Sequence, residues 1–115
     1  MSRVYLRGMF VVVYRWHLKP GFEDTHRAGW RAVTESIRRA YGTGGSRLHR
    51  DADGAYIAYA VWPDEAKWER ARTSAPPSTE ADRALMREGI DGAVEVLHRL
   101  TVIDDLLSAV VPVGA

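Results

Sequence analysis

From Phe10 to Leu18 the chain reads Phe-Val-Val-Val-Tyr-Arg-Trp-His-Leu, a β-branched and aromatic run with period-two character that ends at Lys19-Pro20-Gly21. This pattern predicts a first strand closed by a turn. Alternation sends Phe10, Val12, Tyr14, Trp16 and Leu18 to one face and Val11, Val13, Arg15 and His17 to the other, so both faces carry apolar residues. From Phe22 to Tyr41 the period changes. Trp30, Val33, Ile37 and Tyr41 recur at helical spacing, while Arg27, Arg31, Glu35, Arg38 and Arg39 fall largely off that stripe. A first helix follows, with Glu23 and Asp24 near its positive N-terminal end and Gly42 as its stop.

Gly44-Gly45-Ser46 leads into a short second strand, Arg47 to Arg50, and Asp51-Ala52-Asp53-Gly54 is a hairpin signal before a third strand from Ala55 to Trp62. Those two strands pair antiparallel. Pro63 and a capping Asp64 open a second helix to about Arg72, with Trp68 and Ala71 facing inward. Thr73 to Ser78 reads as a loop rather than a domain boundary. A third helix runs from Thr79 to about Glu88 with Ala81, Leu85 and Met86 inward; Gly89 and Gly92 break it, and the last strand runs from about Val94 to Ile103. The resulting order is βαββαβ with its second helix in two pieces. It predicts an α+β, ferredoxin-like fold: one domain over 1–115, core about 10–107, with a four-stranded antiparallel sheet covered by helices on one face. The uncovered face, on the order of 400 Å², marks an interaction surface, and a two-fold homodimer packed sheet to sheet is the economical way to cover it.

Composition narrows the function classes. The 115 residues include no cysteine, which removes disulfides, thiol nucleophiles and cysteine metal sites and suits a reducing cytoplasm. A net charge of +1 gives no general reason to bind nucleic acid or anionic membranes. The longest apolar stretch, Met9 to Tyr14, is interrupted by Arg15, too soon to span a bilayer, and the start lacks a signal-peptide apolar region. The expected location is the cytoplasm. Four Trp, five Tyr and two Phe are the one departure from ordinary composition.

Three constellations do not reach a site. His49 and Asp51 share a strand face, but two ligands without a third make a poor metal site, so no metal is expected. Gly42-Thr43-Gly44-Gly45 lacks the Lys-Ser/Thr of a phosphate loop, and Ser46 lacks a nucleophile-elbow context.

Taken in order, Val13 to Glu23, Trp30, Gly45 to Arg50 before Asp53-Gly54, Tyr59 to Asp64 with Trp68, and Val102 to Leu107 resemble the antibiotic biosynthesis monooxygenase family of the dimeric α+β barrel superfamily. The resemblance spans roughly Phe10 to Leu107. It implies a homodimer, a dimeric α/β barrel, with a pocket in each subunit between sheet and helices. Characterised members of the family oxidise polycyclic phenols with dioxygen and no flavin, metal or haem; others degrade haem. The haem-degrading pattern needs an Asn on the first strand, a Trp late in the second helix and an axial His on the third. Those positions fall near Tyr14, Ala71 and Ala81, and no His lies between His49 and His98, so haem is not expected.

The function implied is a cofactor-independent monooxygenase acting on a small or polycyclic aromatic phenol or quinol. Such chemistry needs a base, a dry aromatic pocket and donors for the developing phenolate. The resemblance places Tyr14 at a pocket position, where its hydroxyl would orient the substrate. Trp16, Trp30, Trp62 and Trp68 complete the expected aromatic wall, although core packing is the commoner use of such residues. His49 and His98, on the second and fourth strands, are the candidate bases. His17 suits an interface, and His26 is expected to be solvated or partly buried. Arg47, Arg50 and Arg99 could steer an anionic substrate, although solvated charge is the usual fate of such residues. The alternatives are a non-catalytic small-molecule-binding or structural dimer, and an isomerase or cyclase using proton transfer alone. A cavity of about 300 Å³ or more with converging polar groups would favour an enzyme.

Overall fold

The computed structural model describes residues 9–108, so 1–8 and 109–115 of the expected domain span lie outside the described residues. The elements are β1 (Phe10–Leu18), α1 (Glu23–Tyr41), β2 (Gly45–Arg50), β3 (Tyr56–Trp62), α2 (Glu65–Arg72), α3 (Glu80–Glu88) and β4 (Ile90–Thr101). The strands form one antiparallel sheet in the order β2-β3-β1-β4, which is the ferredoxin-like α+β arrangement. No helix among the described residues is long and apolar enough to cross a membrane.

Period-two alternation in β1 sorts the sheet into two faces. Val12 pairs with Ala60, Tyr14 with Ala58 and Trp16 with Tyr56, and this face carries the core: Phe10, Val12, Trp62 and Trp68 in one cluster, Trp16, Tyr56 and Ala58 in another. Burying large aromatics here is the main source of stability, about 1.5–3 kcal/mol for each large side chain removed from water. The opposite face presents Val11, Val13 and their neighbours.

Local chemistry sets the element ends. Gly42 takes φ +65° and its N–H reaches the Arg38 carbonyl at 2.9 Å, closing α1. Asp64 caps α2 by accepting from the Lys67 N–H at 2.8 Å. In the hairpin, Asp51 Oδ1 accepts from the N–H groups of Asp53 and Ala55, both at 2.9 Å, and Gly54 supplies the positive φ.

Three expectations are corrected. β2 starts at Gly45 rather than Arg47, and β4 starts at Ile90 rather than Val94 and ends at Thr101 rather than Ile103. Gly92, expected with Gly89 to break the third helix, lies instead inside β4; with φ +83° it sits where the register with β1 slips between Arg15 and His17, a bulge that keeps the ladder going. Ala81 and Leu85 face outward, because α3 packs on α1 and not over the sheet. The two helices meet at Gly29, where a Cβ would collide with the backbone N of Met86 and lie 2.8 Å from the carbonyl carbon of Leu85. As a result no helix among the described residues covers β4: Val94 and Val96 are 48% and 49% exposed, and Leu100, paired with Val11 on the opposite face, is 44% exposed.

Candidate active site

A cavity of about 210 Å³ lies between the core face of the sheet and α1. Its walls come from Tyr14 and Trp16 of β1, His26, Trp30, Val33 and Ile37 of α1, Ser46 of β2, and Ala58, Ala60 and Trp62 of β3, with Met86, Ile90 and Val94 closing one side. The space exists because β3 places two alanines, Ala58 and Ala60, opposite Tyr14 and Val12 in the register. Larger side chains there would fill it.

Tyr14 combines a donor and an acceptor in this cavity. The indole N–H of buried Trp68 donates to its hydroxyl oxygen at 2.8 Å. With one lone pair so occupied, the Tyr14 O–H proton is free to be donated. Burial pushes the Tyr14 phenol above its ordinary pKa; the Trp68 hydrogen bond and the positive charge of Arg72 oppose this only in part. Tyr14 is therefore a hydrogen-bond donor near neutral pH and not a base. Trp68 itself does not line the cavity, contrary to expectation. It stands behind Tyr14, under the guanidinium groups of Arg72 and Arg99 at 4.9 and 5.9 Å from its ring centroid.

His26, expected to be solvated or partly buried, is fully buried and lines the cavity. Its Nε2 accepts from the Trp16 indole N–H at 3.1 Å, and its Nδ1 lies 2.7 Å from the Met86 carbonyl oxygen. A carbonyl only accepts and an indole N–H only donates, so the ring is the neutral tautomer with its proton on Nδ1. Burial holds its pKa below the ordinary histidine value, against the opposing pull of the Met86 carbonyl. Both nitrogens are committed. The sequence signal for its placement was present, since His26 precedes Trp30, Val33 and Ile37 on the inward stripe at helical spacing.

His49 and His98 do not line the cavity. His49 pairs with Ile57 and His98 with Val13, which sets both on the opposite face of the sheet. His49 Nδ1 faces the Ile57 carbonyl at 3.1 Å. Trp16, Trp30 and Trp62 line the cavity. The Trp62 indole N–H is buried and has no hydrogen-bond partner among the described residues. An orphaned buried donor costs about 1–3 kcal/mol, a cost that an oxygen atom within its reach would remove.

Comparison with known proteins fixes the family. The family model described as "Antibiotic biosynthesis monooxygenase" matches residues 9–79, more than half of the chain. The chain belongs to the antibiotic biosynthesis monooxygenase family. No curated protein matches it. Among solved structures, this family member is similar to Rv0793 of Mycobacterium tuberculosis, with TM-score 0.64 and 21% identity over 86% of this chain and 99% of that one. It is also similar to SnoaB, described as a cofactor-independent oxygenase, of Streptomyces nogalater, with TM-score 0.61 and 16% identity over 88% and 99%. A conserved protein of Methanosarcina mazei gives TM-score 0.66 and 14% identity over 84% and 94%. At these identities the likeness establishes a shared fold. The antibiotic biosynthesis monooxygenase match stops at residue 79, so the α3 and β4 walls of the cavity lie beyond it.

Proposed function

We propose that this member of the antibiotic biosynthesis monooxygenase family is a cofactor-independent monooxygenase acting on a small aromatic phenol or quinol, working as a homodimer in the cytoplasm. The observation that carries this reading is Tyr14: a buried phenol, held neutral, whose oxygen is fixed by Trp68 and whose proton is free to point at a ligand oxygen. Trp62 adds a second donor, one without a partner among the described residues. A mostly apolar cavity with a few fixed donors stabilises a phenolate without solvent reorganisation, which is the main protein contribution such chemistry needs. The volume of about 210 Å³ falls short of the roughly 300 Å³ that would favour an enzyme, which weighs toward the binding reading below, and it admits one or two rings rather than a larger polycycle.

The chemistry balances without an external reductant. A phenol whose para C–H becomes a carbonyl gives its quinone plus water: one atom of dioxygen enters the ring, the other leaves as water, and all four electrons come from the substrate. Neither titratable side chain in the cavity, Tyr14 or His26, is set to accept a proton. The substrate accordingly enters as its own phenolate, which the donors then hold. Support from relatives is at the level of fold and family, through SnoaB and the family model.

The lack of a free base also favours a second reading, a dimer that binds a small aromatic molecule without reaction. Oxygen uptake separates the two. Purified protein with phenol and 1-naphthol, one- and two-ring phenols with a free para position, corrected for spontaneous oxidation, is expected to show saturable uptake that falls on the order of 10²-fold in Tyr14→Phe. Saturable binding without uptake across the panel assigns the second reading. Full uptake in Tyr14→Phe removes Tyr14 from the mechanism.

A further inference from the structure

Six of the arginines on the described residues pair with a glutamate: Arg15 with Glu95, Arg38 and Arg39 with Glu35, Arg72 with Glu69, and Arg83 and Arg87 with Glu80. Four others gather elsewhere. Arg27 and Arg31 of α1 and Arg47 and Arg50 of β2 line one groove of about 500 Å³ along the sheet edge, and among the described residues no carboxylate lines it with them. All four are exposed, and among the described residues none has a carboxylate oxygen within 4.0 Å. Their mutual repulsion is unrelieved in a chain whose net charge is only +1.

Protection of an edge strand against pairing with another chain would account for charges on β2. It does not account for Arg27 and Arg31, which sit one helical turn apart on α1, a like-charge spacing that destabilises a helix. What the helix and strand arginines share is the groove. Two residues of its lining, Trp30 and Ser46, also line the apolar cavity, so cavity and groove meet between them. A ligand can thus lie with its ring in the cavity and a substituent in the groove.

We propose that the groove is the anion subsite of the cavity, and that the aromatic ligand carries a carboxylate or comparable anionic group held by Arg27 and Arg31 of α1 and by Arg50, which pairs with Tyr56 on the cavity face of the sheet. Guanidinium groups match carboxylate and phosphate oxygens with paired, charge-assisted hydrogen bonds. This inference rests on the cavity being a ligand site, and it names the substrate class more closely: an acidic phenol.

The test uses two probes of one ring system, a naphthol and the hydroxynaphthoate that adds a carboxylate to it, titrated against tryptophan fluorescence of the full chain. The expected result is about ten-fold or more tighter binding of the hydroxynaphthoate, consistent with one charged hydrogen-bond pair. That advantage disappears in Arg31→Gln/Arg50→Gln and in about 0.5 M salt, while naphthol affinity stays the same. Inorganic phosphate should reduce hydroxynaphthoate affinity to the naphthol level and leave naphthol bound. Equal affinity for the two probes, or an advantage that survives the double variant, overturns the anion subsite and leaves the cavity reading intact. Binding of neither probe overturns both.

Discussion

The indole N–H of Trp16 points at Nε2 of His26 from 3.1 Å, while the other ring nitrogen of His26 holds the Met86 carbonyl at 2.7 Å. One imidazole thereby ties β1, α1 and the end of α3 together at the cavity wall. Protonation would place an N–H on Nε2 against the N–H of Trp16, and burial already holds the folded pKa below the ordinary value. In the unfolded chain His26 takes up its proton near pH 6.5, so below that pH the unfolded state binds more protons than the folded one. The contribution to stability is whole above about pH 7 and is lost as pH falls. The melting temperature should decline as pH falls below about 6.5, while the paired Glu35 and Glu80, held below the ordinary carboxylate value by their arginines, stay ionised. His26→Leu should melt lower at neutral pH, by about 1–3 kcal/mol for each partner left unsatisfied, and lose that acid slope. An unchanged slope in the variant would assign it to other groups.

Tyr14→Phe removes the acceptor of the Trp68 N–H and leaves that donor buried without a partner. Urea unfolding should show a loss of about 1–3 kcal/mol. Trp68→Phe carries its own packing cost, but the double variant has no orphaned donor and should cost less than the sum of the singles. Simple additivity would mean that the Tyr14–Trp68 hydrogen bond contributes nothing.

The parts of this fold legible in the sequence are those set by neighbours along the chain. Gly42, Asp64 and the Asp51–Gly54 hairpin act within four residues of themselves, and each stands where its side-chain chemistry predicts. Tyr14, Trp16, Trp30 and Trp62 reach the cavity because alternation and helical spacing assign them to the core face. His98 fails for a non-local reason. The pairing of Tyr14 with Val96, continued without interruption, would set His98 opposite Val12 on the core face; a bulge at Leu97 instead pairs it with Val13 and turns it to the other face. Helical spacing puts His26 on the inward stripe, but the partners that satisfy its ring there, Trp16 and the Met86 carbonyl, are ten and sixty residues away and are not legible locally. The outward turn of Ala81 and Leu85 has the same origin: periodicity gives α3 a face but does not say that Gly29 of α1 receives it.

Gly29→Ala tests that helix contact. The added methyl would meet the backbone at Met86 and Leu85, which cannot swing aside as a flexible side chain can. α3 must shift, straining the Met86 carbonyl bond to His26 in the process. A loss of about 1–3 kcal/mol is expected, read as a fall of about 4–8 °C in melting temperature per kcal/mol. A melting temperature within a degree of the parent would show that α3 is free to move away from α1.

The proposed homodimer is tested at β4. This twelve-residue edge strand has no helix over it among the described residues, and Leu97 and Leu100 expose 39% and 44% of their surface. A long exposed apolar edge invites uncontrolled pairing unless a specific partner covers it. A second copy does so with closed two-fold symmetry, because the same strand meets itself or its equivalent across the axis. Sedimentation equilibrium at micromolar concentration should therefore give a dimer. Leu97→Arg/Leu100→Arg should shift it to monomer without loss of the helical circular dichroism, since neither side chain lines the core clusters. A parent protein that sediments as a monomer would overturn the homodimer. The solvent exposure of Val94, which lines the cavity from β4, would then be a property of the working protein, with one wall of the site open to water rather than covered by a partner.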